Sequence, residues 1–226
     1  MSGPGVLALV GGEEWTPGCS FDAGLLAASG GRRVTVLPTA TAFERPDLAL
    51  ARARAWFAAL GAEVEAVEAY GRSDALDPAH VSAVRGASFL YLSSGSAMHL
   101  LSALKRTPLW DAVTAAHGDG AVLAVAGSSA SVVCDAMVDP RGGGFGVGLG
   151  LVRNLTLIPD YNRWSAEGSS RTISLAPKGL ALAGIDDRTA LIREPDGRWR
   201  AEGAGAVRVF VDGRPAGLEV LSPPGS

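Results

Sequence analysis

Ala121-Val-Leu-Ala-Val125-Ala126-Gly127-Ser128-Ser129-Ala130-Ser131-Val132-Val133 is the stretch on which the fold turns. Its first part is an apolar run with no polar face, the pattern of a strand covered on both sides. The run then meets a glycine and a set of small residues before apolar character resumes, which reads as a tight strand-to-helix turn. In such a turn strand and helix approach closely, so the residues two before and two after a central serine must be small. Gly127 and Ser131 meet that need. Ser129 is therefore expected on a strained backbone at the top of a central sheet.

The same grammar repeats towards the N-terminus. Val6 to Val10 ends in Gly11-Gly12, Arg33 to Leu37 ends in Pro38-Thr-Ala-Thr41, and Ser88 to Leu92 ends in Ser93-Ser-Gly-Ser96. Glu63 to Val67 alternates as a further strand. Between these runs lie helical patterns: Phe21 to Ser29, Asp47 to Leu60 stopped by Gly61, Asp77-Pro78 to Gly86, Met98 to Leu104 and Leu109 to His117. Strand, polar or glycine loop, helix, repeated, predicts an α/β chain with a mostly parallel central sheet and helices on both faces. Ligands of such sheets bind beyond the C-terminal strand ends, which places Gly11-Gly12, Pro38-Thr39, Ser93 to Gly95 and Ser128-Ser129 on one rim.

Beyond Arg141 the strands shorten to Leu155–Ile158, Ala181–Gly184, Ala190–Ile192 and Val207–Val211, with Pro195-Asp196-Gly197 as a hairpin turn. They are expected as an antiparallel edge of the same sheet. Residues 1–221 read as a single domain and residues 222–226, Ser-Pro-Pro-Gly-Ser, as a disordered tail.

Hydrophobic residues make up 47% of the 226 and charged ones 19%, which excludes a disordered chain. The formal net charge of −3 comes without any Lys/Arg cluster, so neither nucleic acid nor an anionic membrane is an expected partner. The apolar run at Val6 to Val10 is too short for a secretory core or a membrane span, and a cytoplasmic location is expected. Cys19 and Cys134 lack metal-ligand spacing and read as reduced core thiols, so no metal or cofactor is called for. A homodimer is the default assembly for such a domain.

The serine turn resembles the Gly-x-Ser-Ala-Gly elbow of the cyanophycinase and peptidase E family of serine peptidases. Leu37-Pro38-Thr39-Ala40, Leu60-Gly61-Ala62, Arg72-Ser-Asp-Ala75, Gly148-Leu-Gly-Leu151 and Gly184-Ile-Asp-Asp-Arg-Thr-Ala190 are similar to further family segments in order and spacing. The resemblance implies a flavodoxin-like, class I glutamine amidotransferase-like fold. It also implies Ser129 as nucleophile, small and acidic peptides or isopeptides as substrates, and arginines that hold acidic groups, for which Arg163 and Arg171 are the candidates, with Tyr161 beside them. The Ala130 and Gly95 amides would face the oxyanion, and Ser96 would belong to the substrate loop.

The chain also departs from that pattern. Ser94-Gly95-Ser96-Ala97 stands where the family carries Gly-Gly-Asp/Asn-Gln, and Asp160 stands at the position of the base histidine. The loop Arg141 to Gly148, with Gly142-Gly-Gly144 able to move over the rim, offers no acid for a triad. A serine hydroxyl needs a neighbouring base to become a nucleophile. His99, near the rim, is one candidate. Asp160 is the other, on condition that burial raises its pKa. Two functions follow: a serine-type hydrolase with an atypical triad, or an inactive relative that binds a peptide or small molecule.

Overall fold

The structure, a computed structural model, describes residues 3–141 and 143–222. Gly142 and the tail residues 223–226 lie outside the described residues.

The chain runs through β1 (Leu7–Val10), α1 (Phe21–Ala28), β2 (Arg33–Leu37), α2 (Pro46–Ala59), β3 (Glu63–Ala66), α3 (Pro78–Arg85) and β4 (Phe89–Leu92). It continues with α4 (Ala97–Leu104), α5 (Pro108–Gly118), β5 (Val122–Ala126), α6 (Ser128–Val132), β6 (Ala136–Val138), β7 (Phe145–Val147) and β8 (Leu155–Ile158). It closes with α7 (Ala166–Ser174), β9 (Ala181–Ile185), β10 (Thr189–Arg193), β11 (Trp199–Gly203), β12 (Val207–Val211) and β13 (Arg214–Ala216). Helix starts follow local chemistry. Asp77 accepts a bond from the Ala79 amide ahead of Pro78, and Thr107 does the same for Trp110 ahead of Pro108.

The principal sheet has the order β11-β10-β1-β5-β4-β2-β3. β1, β5, β4, β2 and β3 run parallel, while β10 and β11 add antiparallel at the edge beside β1. Because side chains alternate along a strand, each apolar run feeds two cores. Leu7, Leu9, Leu90, Leu92, Leu123 and Val125 face the side covered by α3, α4 and α5. Ala8, Val10, Val34, Val36, Phe89 and Tyr91 face the side covered by α1 and α2. The α/β architecture with a mostly parallel sheet between helical layers is the one expected.

The C-terminal strands depart in part from expectation. Only β10 and β11 join the principal sheet. β8, β9, β12 and β13 form a second, four-stranded sheet of order β13-β12-β9-β8, in which β8 and β9 are parallel. Its inner residues Leu155, Leu157, Ala183, Ile185 and Val209 enter the same core as α4 and α5, and its outer face carries Ile158, Leu182 and Phe210 under α7. Short strands of similar hydrophobicity carry no mark of which neighbour they will pair with, and the assignment to one sheet failed on that point. The chain crosses from the second sheet back to the principal one at Asp186-Asp187-Arg188, between β9 and β10.

Candidate functional site

A cleft of about 890 Å³ lies beyond the C-terminal ends of β1, β2 and β4. Its wall is built from Glu13 and Glu14 after β1, Thr41 after β2, Ser94 and Gly95 after β4, and Asp160 and Arg163 after β8. The start of α2 closes the other side with Arg45, Leu48 and Arg52. A smaller cleft of about 700 Å³ lies at the opposite ends of β2 and β3, around Arg33 and Glu63.

The strand-to-helix turn after β5 has the expected shape, but its strained residue is Gly127, with φ 54° and ψ −134°. Ser129 is the second residue of α6 and fully buried, and its hydroxyl donates to the Ser93 carbonyl at 2.7 Å. The expectation of a strained, presented Ser129 is corrected on both counts. A Cβ built on Gly127 would collide with Ser94 Oγ and lie 2.7 Å from Ser94 Cβ, so the Ser94 side chain fills the space an elbow side chain would take. Ser128 Oγ donates to the Gly95 carbonyl. The Ala130 amide, expected at an oxyanion, donates instead to the Gly127 carbonyl at 3.0 Å.

Asp160 is held in the left-handed region at φ 48°, a conformation that Asp tolerates better than most residues. Its amide donates to the Gly11 carbonyl at 2.9 Å, and its carboxyl lies directly over Gly12. Any Cβ on Gly12 would collide with Asp160 Oδ1 and stand 3.0 Å from Asp187 Oδ1, so a glycine is what allows the two carboxyls to meet there. The two carboxyls meet over Gly12, and Asp187 Oδ1 is buried there with no hydrogen-bond partner from any other group among the described residues. Burial, the Asp187 bond and the Asp187 charge push Asp160 up to about 7, with Arg163 opposing and Glu14 adding to the rise. For Asp187 burial also acts upward, but bonds from Asp160, Asn162 and Arg163 outweigh it and hold this carboxyl below its ordinary value. Glu14, 5% exposed, is raised chiefly by burial. Its Oε1 accepts the Ser94 amide at 2.8 Å.

The remaining expected site residues are scattered. His99 turns away: its Nε2 is 2.6 Å from the Tyr70 carbonyl, and its ring packs edge-on against Phe43. Ser96 caps α4 by accepting the His99 amide. Arg163 reaches the cleft but is already paired, with Asp187 Oδ2 at 2.6 Å and Glu13 Oε1 at 2.7 Å. Arg171 sits on α7 against Gly143, outside the residues that wall the cleft. Tyr161 packs under the second sheet against Gly184 and Phe210, with Arg208 over its ring.

Two cleft groups and the carboxyl that meets a third were not singled out from sequence. Glu14 and Arg52 sit in ordinary polar contexts with no motif around them. Asp187 lay inside the Gly184 to Ala190 segment, yet only the fold reveals that this turn meets Asp160. Among the described residues, no group of three or more His, Cys, Asp or Glu is arranged to hold a metal ion, and no helix is long and apolar enough to cross a membrane.

No curated protein matches the chain. Among solved structures, a peptidase from an acI-B1 Actinobacterium superposes with a TM-score of 0.85 at 26% identity, over 93% of this chain and 92% of that one. A putative peptidase E protein from Listeria monocytogenes EGD-e superposes at 0.63 with 17% identity, over 92% and 98%, a likeness of fold. The family model described as Peptidase family S51 matches residues 20–197. With the greater part of its length matched, from α1 to the β10–β11 hairpin, the chain belongs to peptidase family S51, the peptidase E and cyanophycinase family.

Proposed function

We propose that the protein is a hydrolase of small peptides or related amides in which the Asp160–Asp187 carboxyl pair does the work of the histidine. The observation that carries this reading is Asp160 on the cleft wall, met over Gly12 by a second buried carboxyl, Asp187, in surroundings that push Asp160 up to about 7. A base of that strength, held where water is partly excluded, accepts a proton from a hydroxyl or a water near neutral pH much as an imidazole does. The names of the relatives, both peptidases, support an amide substrate. A substrate carboxylate would be met by Arg52. Arg163 and Arg45 are already engaged with Asp187, Glu13 and Asp47, whereas Arg52 has no ion pair among the described residues.

A panel of dipeptides and isopeptides with acidic and neutral ends tests this. Release of free amine that drops at least a hundredfold in Asp160→Asn supports it. Arg52→Gln is expected to raise KM for acidic substrates with little change in kcat, the mark of a group that binds ground and transition states alike. A second reading, a non-catalytic peptide-binding protein, draws on the burial of Ser129. It gains if no peptide is cleaved while calorimetry still records binding.

A further inference from the structure

The two serines of the turn use their hydroxyls to hold the loop after β4. Ser129 Oγ donates to the carbonyl of Ser93, and Ser128 Oγ to the carbonyl of Gly95. These are the residues on either side of Ser94. The Ser94 amide is fixed by Glu14 Oε1 at 2.8 Å, and the Ser96 amide by the Ala40 carbonyl at 2.8 Å. Ser94 is thus anchored through its own amide and through both neighbours. Its side chain stands over the bare α-carbon of Gly127, its hydroxyl has no hydrogen-bond partner among the described residues, and it lines the same cleft as Asp160.

We infer that Ser94, seated in the space left open above Gly127, is the nucleophile of the cleft, and that Ser128 and Ser129 are positioning residues that hold its loop. The inference rests on the hydrolase reading above. In the step it implies, Ser94 Oγ bonds to the amide carbon while its proton passes to the Asp160–Asp187 pair. The tetrahedral intermediate collapses, the C–N bond breaks, and the amine leaves with that proton. Water then attacks the ester on Ser94, giving a proton to the same pair. The acid is released, and the proton returns to Ser94 Oγ. The base acts in the form in which Asp160 has lost its proton, so the groups facing Asp160 set the pH range: Asp187, Arg163 and Glu14.

The test is to treat the intact protein with a fluorophosphonate between pH 6 and 9 and map the adduct by peptide mass spectrometry. Ser94 lies between Arg85 and Lys105, and Ser128 and Ser129 between Arg106 and Arg141, so trypsin separates them. The expected adduct is on Ser94, rising with pH. Ser94→Ala is expected to lose it and to slow peptide hydrolysis by several orders of magnitude, up to about a millionfold, as removal of a serine nucleophile does. Ser94→Cys is expected to keep a cleft-directed nucleophile, read as alkylation by iodoacetamide that is slowed in Asp160→Asn. Melting curves of each variant separate lost chemistry from lost folding. An adduct on Ser129 would overturn the inference and leave the hydrolase reading standing. So would hydrolysis that survives in Ser94→Ala but fails in Asp160→Asn, which would point to attack by water. Neither adduct nor hydrolysis by wild type would overturn both.

Discussion

Asp22 shows what a single buried carboxyl does to the energetics of this fold. It is fully buried in α1, accepts a bond from Trp56 Nε1 at 2.8 Å, and leaves its other oxygen without a partner. Burial pushes it up to about 8, against the Trp56 bond and with help from the charges of Glu14 and Glu202. Between the ordinary value of 3.8 and about 8 the folded protein keeps a proton that the unfolded chain releases. Stability from this group is therefore full below 3.8 and falls as pH rises towards about 8, levelling beyond it. The loss is on the order of 5 kcal/mol, from the free-energy value of each pKa step. Asp22→Asn keeps an acceptor for Trp56 and carries no titrating proton. Denaturant unfolding is expected to find it close to wild type at pH 4 and more stable by several kcal/mol at pH 8. Asp160 and Glu14 are raised as well, so part of the wild-type slope remains in the variant.

At the scale of elements, the turn between β5 and α6 depends on two neighbours being compatible. Gly127 holds a backbone geometry that costs a residue with a side chain roughly 1–3 kcal/mol. An added methyl would also meet the Ser94 side chain. Gly127→Ala is therefore expected to destabilise by at least that amount. Ser94→Gly in the same background should restore the part due to collision and leave the backbone part. A double-mutant cycle measured by chemical denaturation reads the difference, and an additive result would mean that the two side chains do not compete.

This turn also shows where sequence reading stops. Apolar run, glycine and small residues identified the turn and placed it at a strand end, and the repeated pattern gave the sheet and its helical layers. Which residue bears the strain depends on where the helix begins, and Gly-Ser-Ser-Ala-Ser allows that start at more than one position. The structure begins α6 at Ser128, which buries Ser129 and leaves the strained position to Gly127. Asp160 was legible as a candidate base, but the upward push on its pKa was not. That depends on Asp187, which approaches from a different sheet crossing.

Seen across the whole molecule, the cleft is assembled from both sheets, and this sets its pH behaviour. Glu14 and Ser94 follow strands of the principal sheet, Asp160 follows β8 of the second, and Asp187 sits where the chain crosses between them. The crossing is held by Asp186, which bonds the Arg208 guanidinium of β12 at 2.9 Å and the Ala206 amide at 3.0 Å. Asp187 is tied to Asn162 and Arg163 beyond β8. Asp187 raises Asp160 by its hydrogen bond and by its charge. Replacing it by Asn removes the charge and offers an N–H donor, and both changes favour ionised Asp160. If the ionised pair is the base, wild-type kcat/KM should rise with pH through about 7 and then level. In Asp187→Asn the rising limb should move to lower pH. The plateau should fall, because a base of lower pKa is a weaker proton acceptor. Kcat/KM measured from pH 4 to 9 on one neutral dipeptide, free of substrate titration in that range apart from its amine, reads both effects. A limb that stays near pH 7 in the variant would show that Asp187 does not govern Asp160, and the base would have to be sought at Glu14.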